Sequence, residues 1–393
     1  MKPTILTTIR YYLPGCKSGG PVRTLSNMVE RLGDEFGFRL VTSDRDALET
    51  QAYSDVEVDK WNRIGKAQVF YASPVWQQLG RLAVLLRETP HDLLYLNSFF
   101  NPTFTLQPLL LRHLRLVPRK PVVIAPRGEF SPGHLDLHRW KYVPYTKVVK
   151  ALGVYRELVW QASSNREQGD IRREMGSVAA TIRIAPDLID SLSEPVNYTS
   201  VRNNVSSPLK VLFLSRISRM KNLDYALGLL RNVSCEVVFG IYGVIDDRKY
   251  WEECRIIIQD LPENVSVEYK GEVPHSEVPF VFSASDIFLF PTRGENFGHV
   301  IHEALAAGVP VLLSDTTPWQ DVEDAGVGWV RSLSDEKGFS DVIEEFSRME
   351  PRLRKAQRML AAEYAARVSN NETVIESNKK LFTNWFGDAI SGN

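Results

Sequence analysis

Short apolar runs separated by helical stretches recur in two series along the 393-residue chain, and they constrain the fold more than any other feature. The first series reads TILTTI, FRLVTS, QVFYAS, LLYLNS, PVVIAPRG, LVWQASS and TIRIAPD. The second reads KVLFLSR, CEVVFGIYG, VSVEYKGEV, DIFLFPTRG, PVLLSD and VGWVRS. Continuous Val, Ile, Leu and Phe in a strand means burial on both faces, as in a parallel sheet. Helical patterns such as RTLSNMVERL and WQQLGRLAVLLRE lie between the runs, and such alternation specifies right-handed βαβ units. Residues 188–208, LIDSLSEPVNYTSVRNNVSSP, are rich in Ser, Asn and Pro and read as a linker. The expectation is an α/β protein of two doubly wound, Rossmann-like domains, 1–187 and 209–365, joined by 188–208 and followed by a helical tail over 366–393. Ligands of open α/β sheets bind outside the carboxyl ends of the strands, so the chemistry is expected on the loops leaving them, in a cleft between two facing sheets.

Neither series carries G-x-G-x-x-G after its first strand, which argues against a nicotinamide or flavin dinucleotide site. A net charge of −1 argues against a nucleic-acid partner. The charge is nonetheless divided. Residues 1–190 hold 26 Lys and Arg against 19 Asp and Glu, and the remainder holds 21 against 29. Much of the basic excess falls between Leu109 and Arg173. There HRWKYVPYTKVVKALGVYRELVW interleaves Lys and Arg with Trp140, Tyr142 and Tyr145. Such a stretch suits either an anionic membrane surface or an ordinary solvated helical hairpin, and both readings stay open. The N-terminus lacks the apolar core of a signal peptide, and no run reaches the length of a membrane span. Cys16, Cys235 and Cys254 fit neither a zinc site nor a redox pair. A cytoplasmic protein is expected, with peripheral attachment to the inner face of the membrane as the alternative to a free one.

The richest local signal is Gly-Glu-Asn-Phe-Gly-His-Val-Ile-His-Glu at 294–303. It joins the strand DIFLFPTR to the helical EALAAG. A helix starting near Gly298 puts Glu303 roughly 7.5 Å along its axis. The first-turn amides around Phe297, Gly298 and His299 would then suit an anion. A phosphate at that end and a ribose one turn deeper would be spaced like the parts of a nucleotide. His299 and His302, three residues apart with no third ligand in reach, make a poor metal site. In the second series, the first strand ends in Arg216-Ile217-Ser218-Arg219-Met220-Lys221-Asn222, with Asn222 in the place of a helix N-cap. Cations at a helix N-terminus are electrostatically misplaced unless a bound pyrophosphate faces them, or unless Asp224 pairs with them. In the first series, Gly19 and Gly20 stand just before a helix. They suit a close ligand approach or a plain turn.

Taken in this order, these residues resemble the group-1 glycosyltransferases, retaining enzymes of the GT-B fold with two facing Rossmann-like domains. The E-x7-E motif is similar to Glu295 through Glu303, the paired phosphate-binding cations to Arg216 and Lys221, and the acceptor-side glycine loop to Gly19-Gly20. The resemblance implies that Arg216 and Lys221 neutralise the departing nucleotide diphosphate. It implies that Glu295 contacts the donor hexose and Glu303 the ribose, with Asn296 and the Phe297, Gly298, His299 and Val300 amides touching sugar and phosphate. Gly243 and the VEYKGEV loop would border the nucleobase. No metal or other cofactor is implied beyond the UDP- or GDP-linked donor, and the implied route is front-face displacement without an enzyme nucleophile. The acceptor would be an oligosaccharide or lipid-linked glycan, as in lipopolysaccharide, capsule or exopolysaccharide assembly. Two positions depart from the pattern. Arg127, in IAPRGEFSPG, stands where many members carry the His that meets the donor sugar, although a bacterial polysaccharide subset similarly uses Pro-Arg-Gly. Asp187-Leu188 stands where Asn-Gly is usual. A nucleotide-sugar epimerase and a non-catalytic nucleotide-sugar-binding subunit are the alternatives.

Overall fold

The computed structural model describes residues 2–15, 17, 19–189 and 208–385. Cys16, most of the expected linker and the chain after 385 therefore lie outside the described residues. The chain forms two compact units, residues 1–191 with 371–393, and residues 192–370.

In the first unit the strands are β1 (Thr4–Thr8), β2 (Gly37–Ser43), β3 (Trp61–Ile64), β4 (Ala67–Ala72), β5 (Leu93–Asn97), β6 (Val122–Ala125), β7 (Val159–Ala162) and β8 (Thr181–Ile184). They pair in the order β3-β4-β2-β1-β5-β6-β7-β8. All pairings are parallel except β3 on β4. The seven apolar runs are the seven parallel strands. The run VVIA of β6 is buried at every residue, as a sheet covered on both faces requires. Strand β3, WNRI, alternates exposed and half-buried residues on the sheet edge, and so it has no apolar run to betray it. The unit's helices are α1 (Gly20–Leu32), α2 (Leu79–Glu88), α3 (Gln107–His113), α4 (Pro132–Leu152) and α5 (Asn165–Met175).

The second unit holds β9 (Leu209–Leu214), β10 (Val237–Tyr242), β11 (Val265–Gly271), β12 (Ile287–Phe290), β13 (Val311–Ser314) and β14 (Gly328–Arg331), in the order β11-β10-β9-β12-β13-β14 and wholly parallel. Its helices are α6 (Leu223–Leu230), α7 (Arg248–Gln259), α8 (Val278–Ser283), α9 (His299–Ala306), α10 (Glu336–Arg348) and α11 (Pro351–Ser369). The last helix, α12 (Glu372–Thr383), belongs to the first unit. Its Phe382 is fully buried, with ring centroids 5.5 Å from Phe36 and 5.4 Å from Tyr95, and its Asn378 amide donates to the Pro186 carbonyl at 2.8 Å. The helical segment expected beyond the second sheet thus closes the core of the first.

In each sheet the strand order reverses beside the first strand of its series. β1 pairs with both β2 and β5, and β9 with both β10 and β12. Ligands collect at such switch points because the loops on either side of the reversal diverge and leave a crevice. In the second unit those loops are 215–222 and 291–298. These are the two segments that stood out in the sequence.

Candidate functional site

Two loops of the second unit are joined by several bonds. The Lys221 ammonium forms an ion pair with Glu295, both side chains largely buried. Arg293 N donates to the Met220 carbonyl at 2.9 Å, and the Thr292 hydroxyl donates to the same oxygen at 3.0 Å. Asn222 occupies the N-cap position of α6 but does not cap it with its side chain. It adopts a left-handed backbone (φ 62°) and turns its amide toward the second loop. There its Nδ2 donates to Pro291 O at 2.9 Å and its Oδ1 accepts from Arg293 Nε at 2.8 Å. The expected Asn222 cap is therefore replaced by a cross-loop bridge.

The remaining cations of the first loop face carboxylates other than Asp224. Arg216 meets Asp246 at 3.0 Å while half exposed, and Arg219 meets Glu253 at 2.7 Å. Asp224 instead accepts the Tyr250 hydroxyl proton. Gly243 borders this loop for a steric reason. A Cβ there would lie 1.9 Å from the Ser215 carbonyl oxygen, and its φ of 135° suits only glycine. The close approach sets Ser215 N on Tyr242 O at 3.0 Å and Ile217 N on Val244 O at 2.8 Å. The Tyr269 hydroxyl, from the VEYKGEV segment, donates to Gly243 O at 2.9 Å.

Gly298 caps α9 in a left-handed conformation (φ 83°), and the helix runs His299–Ala306 as expected. Glu303 lies in its second turn, partly exposed, 3.9 Å from His275 Nδ1. His302 points the other way. It is 3% exposed, with Nε2 2.8 Å from the Ser369 hydroxyl and 3.2 Å from the Ala365 carbonyl. Burial lowers its pKa to about 4, so the ring is neutral at physiological pH. Among the described residues no three His, Cys, Asp or Glu side chains are grouped to hold a metal. One determinant of the loop escaped sequence reasoning. The Trp319 indole donates to Phe297 O at 2.6 Å and packs on the Phe297 ring at 5.3 Å, anchoring the turn between Glu295 and α9 from behind.

Gly19, Gly20 and Arg127 belong to the first unit. Gly19 has φ 68°, and a Cβ on either glycine would meet nothing within 4 Å, so this turn is open. Arg127 behaves differently. Its guanidinium is buried and ion-paired with Asp187, the two side chains 7% and 3% exposed. It also donates to Asn97 Oδ1 at 2.9 Å and to the Tyr95 hydroxyl. The side chain is turned into the unit, so a contact between Arg127 and a donor sugar does not rest on its guanidinium. The two departures from the family pattern, Arg127 and Asp187, are partners. Asp187 also accepts from Thr24 of α1 at 3.0 Å, which ties the pair to the helix that follows the glycine turn.

The rest of the Pro-Arg-Gly loop is equally committed. Gly128 N donates to Glu167 Oε1 at 2.6 Å. Glu129 accepts from the Ser98 hydroxyl at 2.7 Å and from the amides of Phe99 and Phe100. Burial raises the pKa of both carboxyl groups, against these hydrogen bonds, which favour the charged forms. Sequence reasoning missed Glu129 and Glu167. The only local signal for Glu167 is the Ser164-x-x-Glu167 capping box, which marks a helix start rather than a buried carboxylate.

Residues 199–365 match the family model described as glycosyl transferases group 1. Over these residues, which lie largely in its second unit, the chain is similar to the group-1 glycosyltransferases. The chain is 39% identical over 62 residues to the O-antigen chain mannosyltransferase B of Escherichia coli, 16% of each chain. It is 33% identical over 100 residues to the lipopolysaccharide core biosynthesis mannosyltransferase LpsB of Rhizobium meliloti (strain 1021), 25% of this chain and 27% of that one. The matched segments span less than a third of each curated relative's own length. Anabaena Alr3699/HepE, solved in complex with UDP-glucose, matches across 97% of this chain and 99% of its own, with a TM-score of 0.71 at 17% identity. The chain therefore has the GT-B fold.

Proposed function

We propose that the chain is a retaining, metal-independent glycosyltransferase that moves a sugar from a nucleotide-sugar donor to an oligosaccharide or lipid-linked glycan during bacterial polysaccharide assembly. The Lys221–Glu295 ion pair at the second sheet's switch point carries this reading. The ammonium and the carboxylate stand together where a sugar–phosphate bond would need both a cation for the leaving oxygen and an acceptor for sugar hydroxyls. In the absence of donor the two neutralise one another. When a diphosphate arrives, Lys221 exchanges Glu295 for phosphate oxygens, and Glu295 is released toward the hexose. Arg216, half exposed beside Asp246, makes the same exchange. Such preorganised charge stabilises negative charge developing on the leaving phosphate and takes the place of a metal. Glu303, in the second turn of α9, holds the ribose hydroxyls, and the α9 amides face the phosphate. The leaving phosphate takes the acceptor's proton on the same face, so configuration is retained without an enzyme nucleophile. The mannosyltransferase relatives support the polysaccharide assignment.

The reading includes a cytoplasmic enzyme attached to an anionic membrane through its first unit. No helix among the described residues is long and apolar enough to cross a membrane. Helix α4 instead exposes Trp140 at 74%, Val148 at 56% and Leu152 at 52%, interleaved with the exposed Lys141 and Lys147. Apolar side chains flanked by lysines suit an interfacial position. Binding of the purified protein to anionic liposomes at low salt supports this part, and indifference to them removes it.

The central test is a panel of UDP- and GDP-sugars, scored for binding, slow hydrolysis and transfer, with anomeric configuration read by NMR. Lys221→Ala should abolish transfer. Near-normal transfer by that variant, or inverted product, would refute the mechanism. Conversion of the sugar without any acceptor would point to an epimerase instead.

A further inference from the structure

We propose that Arg293 is a preorganised oxyanion receptor of the second unit, which takes a carboxylate or phosphate of the substrate in its guanidinium fork. The inference rests on the donor site proposed above. Arg293 lies three residues beyond β12 and two before Glu295, on the loop at the switch point. Its backbone is held on both sides. The preceding Thr292 carbonyl accepts from the Ser314 hydroxyl at 2.6 Å and from the Thr316 hydroxyl at 2.7 Å, and Arg293 N donates to Met220 O at 2.9 Å. The side chain is then fixed at Nε by Asn222 Oδ1 at 2.8 Å. Asn222 is itself 2% exposed and anchored through Nδ2 to Pro291 O. A buried amide thus orients an exposed guanidinium.

The free end of that guanidinium sets it apart from its neighbours. Arg216 faces Asp246, Arg219 faces Glu253 and Lys221 faces Glu295. Among the described residues no carboxylate lies within ion-pair distance of Arg293. A solvated surface arginine samples many rotamers, and holding one costs entropy. Here that ordering is done in advance, which lowers the cost of binding. With Nε engaged, the two Nη groups remain to donate to one oxyanion, whose planar or tetrahedral oxygens match the fork. Two substrate oxyanions meet this description, the diphosphate of the nucleotide and an acidic group on the transferred sugar.

Calorimetric titration of the unaltered protein, Arg293→Ala and Arg293→Lys with UDP, GDP, UDP-glucose and UDP-glucuronic acid separates the sources. If Arg293 takes the diphosphate, Arg293→Ala weakens every bound nucleotide by about tenfold or more, to a similar extent. If it takes a sugar carboxylate, UDP binding is unchanged while the preference for UDP-glucuronic acid over UDP-glucose falls by about tenfold or more. Arg293→Lys, which keeps the charge but loses the Asn222 bond and the fork, should recover only part of the loss. Equal affinities of the alanine variant and the unaltered protein for all bound ligands overturn the proposal and leave the donor site intact. Failure of the unaltered protein to bind any of the four overturns the donor site and Arg293's role together.

Discussion

Replacing Arg127 by methionine should be among the most damaging single changes in the first unit. The guanidinium and the Asp187 carboxylate are 7% and 3% exposed, so each charge is balanced mainly by the other and by fixed dipoles. Removing one member of a buried pair leaves the other charge uncompensated and costs about 3–5 kcal/mol. Asn97 Oδ1, which accepts from Arg127 at 2.9 Å, loses that donor too. Asp187→Asn keeps the shape and the Thr24 contact but leaves the arginine facing a neutral amide. The double variant removes both charges and should cost less than the sum of the singles, by about 2 kcal/mol or more. For a unit of this size each kcal/mol shifts the midpoint by about 2–4 °C, so the methionine variant should melt about 6–20 °C lower. Urea unfolding of the full chain, with hydrogen exchange of first-unit peptides to localise the loss, measures all four proteins. Costs that add within about 0.5 kcal/mol would show that Arg127 and Asp187 act independently, and the paired-departure argument would fail.

Three further outcomes follow from the geometry. Glu303→Ala should weaken nucleotide-donor binding by roughly 1–3 kcal/mol while leaving binding of the free sugar unchanged, since only the ribose hydroxyls lose a partner; calorimetry with nucleoside diphosphate reads the difference directly. Gly243→Ala should disrupt the seating of the 215–217 loop, because its Cβ would lie 1.9 Å from Ser215 O, and donor affinity should fall although Gly243 itself offers no side chain. His302 binds a proton more readily in the unfolded chain than in the folded one, its pKa falling from 6.5 to about 4 on folding. Stability should therefore decline as pH falls from about 6.5 toward 4, by roughly 3 kcal/mol at most, and a His302→Gln variant should have a flatter acid limb in urea titrations; an unchanged limb would refute the assignment.

The two sheets were legible because a parallel strand buried on both faces must be apolar throughout; the thirteen runs coincide with thirteen of the fourteen described strands, although the edge strands β8 and β11 are only partly buried. Strand β3 was not, since an edge strand with one solvated face keeps alternation and loses the run. One of the two candidate site loops was legible for a related reason. Gly298, at φ 83°, supplies the left-handed residue that starts α9 after β12, and a glycine at such a turn leaves a local mark. What a side chain faces is a different matter. Arg127 and Asp187 lie 60 residues apart, and each looked like an isolated departure from a pattern until the sheet brought the β6 and β8 loops together. Asn222 looked like a helix cap, yet its amide is used across the switch point on Pro291 and Arg293. The fate of α12 was equally invisible. Its helical period is written in the sequence, but only three-dimensional packing against Phe36 and Tyr95 decides which core it closes. The sequence by itself thus determined thirteen of the fourteen described strands and the α/β class, because periodicity and turn geometry act over a few residues. The tertiary structure alone decided which charges are spent on one another and which, like Arg293, remain free for a ligand, because burial and pairing depend on residues that the chain brings together from far apart.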